Sequence, residues 1–173
     1  MKKLNLILNS IIFLFFSTQL YSQEHFISGK ANIIDGDTIK IFEEKIRFYG
    51  IDAPEIKQKC KKNWVTYLCG VYSKNFLISL IADSDVTCEY TERDRYKRII
   101  GICYLGNIDL IKIKKSKDKE INRLMVLNGH AVAYKQYSKK YIKDEKFAKS
   151  NFLGLWSHDT EFEMPWEWRK KRK

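Results

Sequence analysis

Cys88 and Cys103 stand equally far from Arg95 and Tyr96, the centre of a polar run over residues 92–97. Residues 86–91 and 98–105 are rich in β-branched and aromatic side chains, and read as two strands of one hairpin. A hairpin centred on Arg95-Tyr96 puts the two cysteines directly opposite one another on neighbouring strands, which predicts a Cys88–Cys103 disulfide. By elimination Cys60 pairs with Cys69 and closes a short loop. A zinc site does not fit, because the sequence has no Cys-x-x-Cys and His25, His130 and His158 lie far from the cysteines. Four buried free thiols are the alternative.

An even cysteine count suits disulfides in an exported chain, and the N-terminus supports export. Met1-Lys2-Lys3 is a short positive start, followed by an apolar run to Phe16 and then Ser17, Thr18 and Ser22. Residues 1–22 read as a secretory signal peptide cleaved near Ser22. An uncleaved anchor is the alternative, but the run is short against the ~20 apolar residues of a membrane span. The expected location is secreted or periplasmic, with no stable membrane insertion after cleavage.

Counting 32 Lys plus Arg against 21 Asp plus Glu, the chain carries a formal charge of +11, and the leader accounts for only two of those charges. Such an excess calls for an anionic partner: nucleic acid, an acidic membrane surface or an acidic protein. At 173 residues and 45% apolar content one core domain is expected, and a solvated coil is excluded.

Along the remaining chain, strands are expected at Ile27, 30–34, 38–42 and 45–51, with turns at Asp35-Gly36-Asp37 and Glu43-Glu44. Pro54 ends the fourth run. Residues 56–70 read as a polar loop and 71–82 as a helix with one buried face. A short strand at 108–110, a solvated lysine-rich excursion at 111–120, and a helix at 121–128 stopped by Gly129 follow. Ser138 is a plausible N-cap for a last helix to about Phe152, and residues 161–173 read as a disordered basic tail. This pattern predicts a small α+β domain over 23–160, built on a curled or barrel sheet.

Two acidic clusters, Asp35-Gly36-Asp37-Thr38 and Asp52-Ala53-Pro54-Glu55, lie at a turn and a strand end. Carboxylates with a nearby carbonyl suit a hard cation such as Ca²⁺, and a bound cation explains a concentrated acidic patch in a basic chain. Arg47 precedes the second cluster and Arg98 opens the strand after Arg95-Tyr96-Lys97. Guanidinium groups bind phosphate oxygens bidentately and stabilise charge that builds at phosphorus. A cation, two arginines and a spare carboxylate, Glu55, together describe phosphodiester hydrolysis. Taken singly, Asp-Gly-Asp is an ordinary hairpin turn and each arginine an ordinary surface ion pair.

The run Ile34-Asp35-Gly36-Asp37-Thr38, then residues 46–55 (IRFYGIDAPE) and 94–98 (DRYKR), resembles the staphylococcal nuclease family. Residues 122–131 (NRLMVLNGHA) and Gly154-Leu155-Trp156 are similar to its later segments, in order, over residues 26–157. The resemblance implies a five-stranded OB-fold β-barrel with about three packed α-helices and Ca²⁺-dependent cleavage of DNA and RNA. It implies Asp37, Asp52 and the Ala53 backbone carbonyl as calcium ligands, with Asp35 in the outer shell. It also implies Glu55 acting on the attacking water, as base or as orienter, with Arg47 and Arg98 on the scissile phosphate. Tyr134 and Tyr137 resemble the tyrosines beside the nucleotide pocket, with packing below the last helix as the equal alternative. Tyr96 and Lys97 are expected on the substrate side, although Lys97 stands where many relatives have Gly in that turn. Residues 111–121 look like an insertion.

A monomer without an obligate protein partner is expected. Glu55-Ile56-Lys57 fits half of a restriction-type Mg²⁺ motif, but Pro54 argues against an internal strand there. A rival of another class is a non-catalytic OB-fold protein that binds single-stranded nucleic acid by charge and stacking. Binding alone has no need of Glu55.

Overall fold

The computed structural model describes residues 25–107 and 117–172. The signal-peptide reading of 1–22, the strand at 108–110 and most of the lysine-rich excursion lie outside the described residues.

Eleven short strands and four α-helices are present among the described residues. β1 (His25–Gly29) and β2 (Ala31–Ile33) are two halves of one run joined at Lys30. β3 (Thr38–Ile41) and β4 (Glu44–Phe48) follow, and the main sheet is completed by β8 (Val86–Arg93) and β9 (Ile99–Leu105). The order across that sheet is β1-β8-β9-β4-β3-β2. Its two edges are thus neighbouring pieces of one strand, so the sheet curls round as the five-stranded OB-type barrel. Among the described residues only β4 and β9 pair in parallel.

The hairpin register is as the cysteines require. Cys88 faces Cys103 and the two are bonded. A bulge between Tyr90 and Glu92 shifts the pairing by one residue toward the turn, bringing Arg93 opposite Ile99. Cys60 and Cys69 are also bonded.

β5 (Ile51–Asp52) pairs with β10 (Val132–Ala133) beside the barrel. The expected polar loop at 56–70 is instead a hairpin of β6 (Lys59–Lys62) and β7 (Val65–Leu68), joined by β11 (Thr160–Glu161). Sequence patterning misses it because three of the four β6 residues are exposed lysines and β7 points mostly to solvent. Its turn residues Asn63 and Trp64 both have positive φ, and the Cys60–Cys69 bond ties the hairpin to the start of α1.

α1 (Cys69–Ile81) buries Cys69, Ser73, Leu77 and Ile81, every fourth residue, against the barrel. α2 (Ile121–Leu127) is held by Asn122, whose amide donates to the Tyr49 and Gly101 carbonyls and accepts from the Cys103 N–H. α3 (Ile142–Ser150) starts later than expected. Ser138 Oγ accepts from the Lys140 N–H within the preceding turn, so it caps no helix there. Ile121 opens α2 as expected and is fully buried, but Glu120 does not belong to a solvated excursion: it accepts from the buried Tyr141 hydroxyl at 2.6 Å.

The core joins Ile39, Ile41, Ile46 and Phe48 of the sheet to Leu77 and Ile81 of α1 and Met125 of α2. A second cluster gathers Cys60, Cys69, Val132 and Leu155, with Phe162, Met164 and Trp166 packed on it. That cluster explains the largest departure from expectation. The segment read as a disordered tail contains α4 (Pro165–Lys170), which opens on a proline in its first turn. Charge suggested a solvated end, but Met164 and Trp166 on that cluster and Gln58 Nε2, which donates to the Glu163 carbonyl, dock it.

Candidate nuclease site

The mouth of the barrel opens into a cleft of about 1090 Å³, lined among others by Asp35, Arg47, Glu55, Tyr96, Arg98, Tyr134 and Tyr137. They come from five separate pieces of chain. The β2–β3 turn supplies Asp35 and Asp37, β4 supplies Arg47, and the β5 exit supplies Asp52 and Glu55. The β8–β9 turn supplies Tyr96 and Arg98, and the segment after β10 supplies both tyrosines.

Two glycines allow the acids to approach. A side chain on Gly36 would meet Ser73 Oγ at 2.0 Å and Ala53 Cβ at 2.8 Å, so the Asp-Gly-Asp turn is pressed onto α1. A side chain on Gly70 would meet the Glu55 carbonyl oxygen at 1.8 Å, so the backbone behind Glu55 rests directly on α1.

Asp37 and Asp52 are buried, and Arg47 bridges them. Arg47 Nη1 donates to Asp37 Oδ1, and Nη2 donates to Asp52 Oδ1 at 2.5 Å. Asp37 Oδ1 also accepts from the Thr38 hydroxyl, and Oδ2 accepts from the Ala53 N–H at 2.7 Å. Burial opposes the Asp37 charge, yet Arg47, the Ala53 amide and Thr38 outweigh it and hold its pKa below the usual carboxylate range. At Asp52 burial wins and the pKa is raised, partly offset by Arg169. Burial and the neighbouring Asp37 push the Asp35 carboxyl up to about 7.

Arg98 is held differently. Asp94 Oδ1 accepts from the Tyr96 and Arg98 N–H groups, while Oδ2 accepts from Arg98 Nε at 2.8 Å. Lys97 adopts the left-handed conformation at φ 64°, so the turn keeps the shape that glycine would favour. Lys97 does not line the cleft, unlike Tyr96 beside it.

Sequence reading passed over Arg169 and Trp166. Arg169 Nη1 donates to Asp52 Oδ1 at 2.9 Å and to Glu55 Oε1 at 2.8 Å, and Nη2 donates to Asp52 Oδ2 at 2.8 Å. Trp166 lies parallel to Tyr134 with ring centres 5.4 Å apart, and Tyr137 meets the same tyrosine edge-on at 4.6 Å. Pro165 at a helix start, followed by two tryptophans, was the available signal.

Among the described residues, no group of three or more His, Cys, Asp or Glu forms a ready metal cage. The donor chemistry nevertheless fits a hard cation. Asp37 and Asp52 already share one guanidinium, and Asp52 and Glu55 share another, so cationic groups stand where a cation would.

A curled OB-type barrel with acids and arginines converging at its mouth defines a protein of the phosphodiester-handling class. Residues 45–158 match the family described as "Staphylococcal nuclease homologue", and the chain belongs to that family. It is 35% identical over 138 residues to the "Succinoglycan biosynthesis protein ExoI" of Rhizobium meliloti (strain 1021), covering 78% of this chain and 67% of that protein. It is 33% identical over 146 residues to the "Probable staphylococcal-like nuclease CAN4" of Oryza sativa subsp. japonica, which takes in 83% of this chain but only 25% of that protein. It is 33% identical over 153 residues to an "Uncharacterized endonuclease" of Escherichia coli, with 84% and 87% covered. Nuclease chemistry on a nucleic-acid substrate is what the family supports.

Proposed function

We propose that this chain is an exported, calcium-dependent phosphodiesterase that hydrolyses DNA and RNA. The observation that carries the reading is the convergence of Arg47, Arg98 and Glu55 on one cleft with Asp37 and Asp52 behind it. In this reading Arg47 and Arg98 hold the phosphate oxygens and favour the charge that develops there. Glu55 orients or deprotonates water from the opposite side, being the half-exposed carboxylate of the group. Asp37, Asp52 and the Ala53 carbonyl would hold the cation, with Asp35 in the outer shell. When bound, the ion would supply Lewis-acid charge to the phosphate. Tyr96, Tyr134 and Tyr137 offer aromatic faces to nucleosides along the cleft.

In this reading the chain is exported with cleavage near Ser22, and export is supported by the two disulfides, which suit an oxidising compartment. Among the described residues no helix is long and apolar enough to cross a membrane. The test is incubation of purified protein with plasmid, single-stranded DNA and RNA, in Ca²⁺ and then in EGTA. Cleavage in Ca²⁺ that stops in chelator is expected. Cleavage unchanged by EGTA removes the metal from the reading, and binding without cleavage leaves the stacking protein instead.

A further inference from the structure

We propose that Arg169 is a resident counter-cation of the acid cluster, which a divalent ion must displace, so that α4 is a strap released by metal. The inference rests on the calcium reading above.

Both oxygens of Asp37 and both of Asp52 are engaged. Asp37 is taken by Arg47, Thr38 and the Ala53 amide, and Asp52 by Arg47 and Arg169. Asp52 accepts three hydrogen bonds against about four lone-pair positions, so an ion that takes both of its oxygens removes a hydrogen bond from one arginine. Arg47 cannot readily give way. It lies between Ile46 and Phe48, both in the core, on a strand paired on each side with β3 and β9.

Arg169 can. It projects from a helix of only six residues, with its side chain 32% exposed. The segment leading into that helix is anchored by Met164 in the second apolar cluster and by Gln58 Nε2, which donates to the Glu163 carbonyl, while the helix itself is held by the buried Pro165 and the Trp166 stack on Tyr134. Charge points the same way. With Arg169 in place, a dication would join two guanidinium groups already crowded on Asp52, and like charges at such spacing repel strongly where water is excluded. Releasing Arg169 also frees Glu55, which it holds at 2.8 Å. Trp166, Arg169 and Lys170 form one wall of the cleft, so departure of α4 opens the site on that side.

Calcium titration calorimetry without nucleic acid, on the chain from Gln23 to Lys173, tests this. Arg169→Gln should bind Ca²⁺ at least about tenfold more tightly than the parent, the scale of a charge-assisted hydrogen bond no longer surrendered. Arg172→Gln, the same charge change one turn on, should stay within about twofold, as exposed charges do. In the parent protein, saturating Ca²⁺ should speed amide hydrogen exchange across residues 165–170. Equal or weaker Ca²⁺ binding by Arg169→Gln overturns the strap and leaves the calcium reading standing, as does slower exchange of α4 in Ca²⁺. Absence of Ca²⁺ binding in both proteins overturns the two together.

Discussion

Arg47 reaches across the end of β4 to Asp52, five residues on, and its Nη2 lies 2.5 Å from the Asp52 Oδ1 it donates to. The carboxylate is fully buried and the guanidinium largely so. The pair is therefore a structural joint as well as a proposed phosphate site, while Arg98 and Asp94 form a more exposed pair at the opposite lip.

That contrast separates two substitutions. Arg47→Ala and Arg98→Ala should each lower turnover on plasmid DNA by about 10²–10³, as losing one transition-state donor does. Arg47→Ala should also cost about 3–5 kcal/mol of stability, because two buried carboxylates lose their shared cation. Arg98→Ala should cost about 0–1 kcal/mol, since its pair is partly solvated. Urea unfolding beside the cleavage assay checks both, and equal stability losses would contradict the joint.

Gly70 sets the height of Glu55. The Cβ in Gly70→Ala would fall 1.8 Å from the Glu55 carbonyl oxygen, and backbone atoms must move to admit it. A displacement of this kind near reacting groups should cost about tenfold or more in turnover. Ser79→Ala, on the exposed face of the same helix, should leave cleavage unchanged. Steady-state rates for the two variants decide, and a fully active Gly70→Ala would show that Glu55 does not depend on that packing.

His130 carries a pH dependence of stability. Its ring stacks on Phe76 at 4.0 Å, and burial pushes its pKa down to about 4 from an ordinary 6.5. Between those values the unfolded chain takes up a proton that the folded chain refuses, so stability is complete above pH 6.5 and declines toward pH 4. His130→Phe should lose less stability over that window than the parent protein does. Thermal unfolding at closely spaced pH values measures the difference, and parallel profiles would rule out His130 as a source.

Much of the barrel was legible because its signals are local. Alternation in residues 45–48, the turn at Asp35-Gly36-Asp37 and the equal spacing of Cys88 and Cys103 each state a strand or a register within a short window. The run expected to reach Ile51 breaks at Tyr49-Gly50, where Gly50 has positive φ, and Ile51-Asp52 pairs with β10 instead. The β6–β7 hairpin was not legible. Its lysines face solvent on both sides, and its stability comes from a disulfide and from β11, about a hundred residues away. Ser138 misled for a related reason: a hydroxyl that suits a helix start serves a turn equally well, and packing chose the turn.

The same division runs through the site. Charge, the cysteine spacing and the two acidic clusters by themselves point to an anionic partner, a disulfide-bonded hairpin and a gathering of acids, since each depends on residues close in sequence. Only the tertiary structure decided that Asp52 has two arginines, and that one comes from 117 residues away. Pro165 and the two tryptophans hint at a helix there, but nothing local says that Arg169 meets the acids. Its role exists because Trp166 finds Tyr134 and Met164 joins the second apolar cluster, and that docking energy carries a charge from the end of the chain into the acids near its beginning.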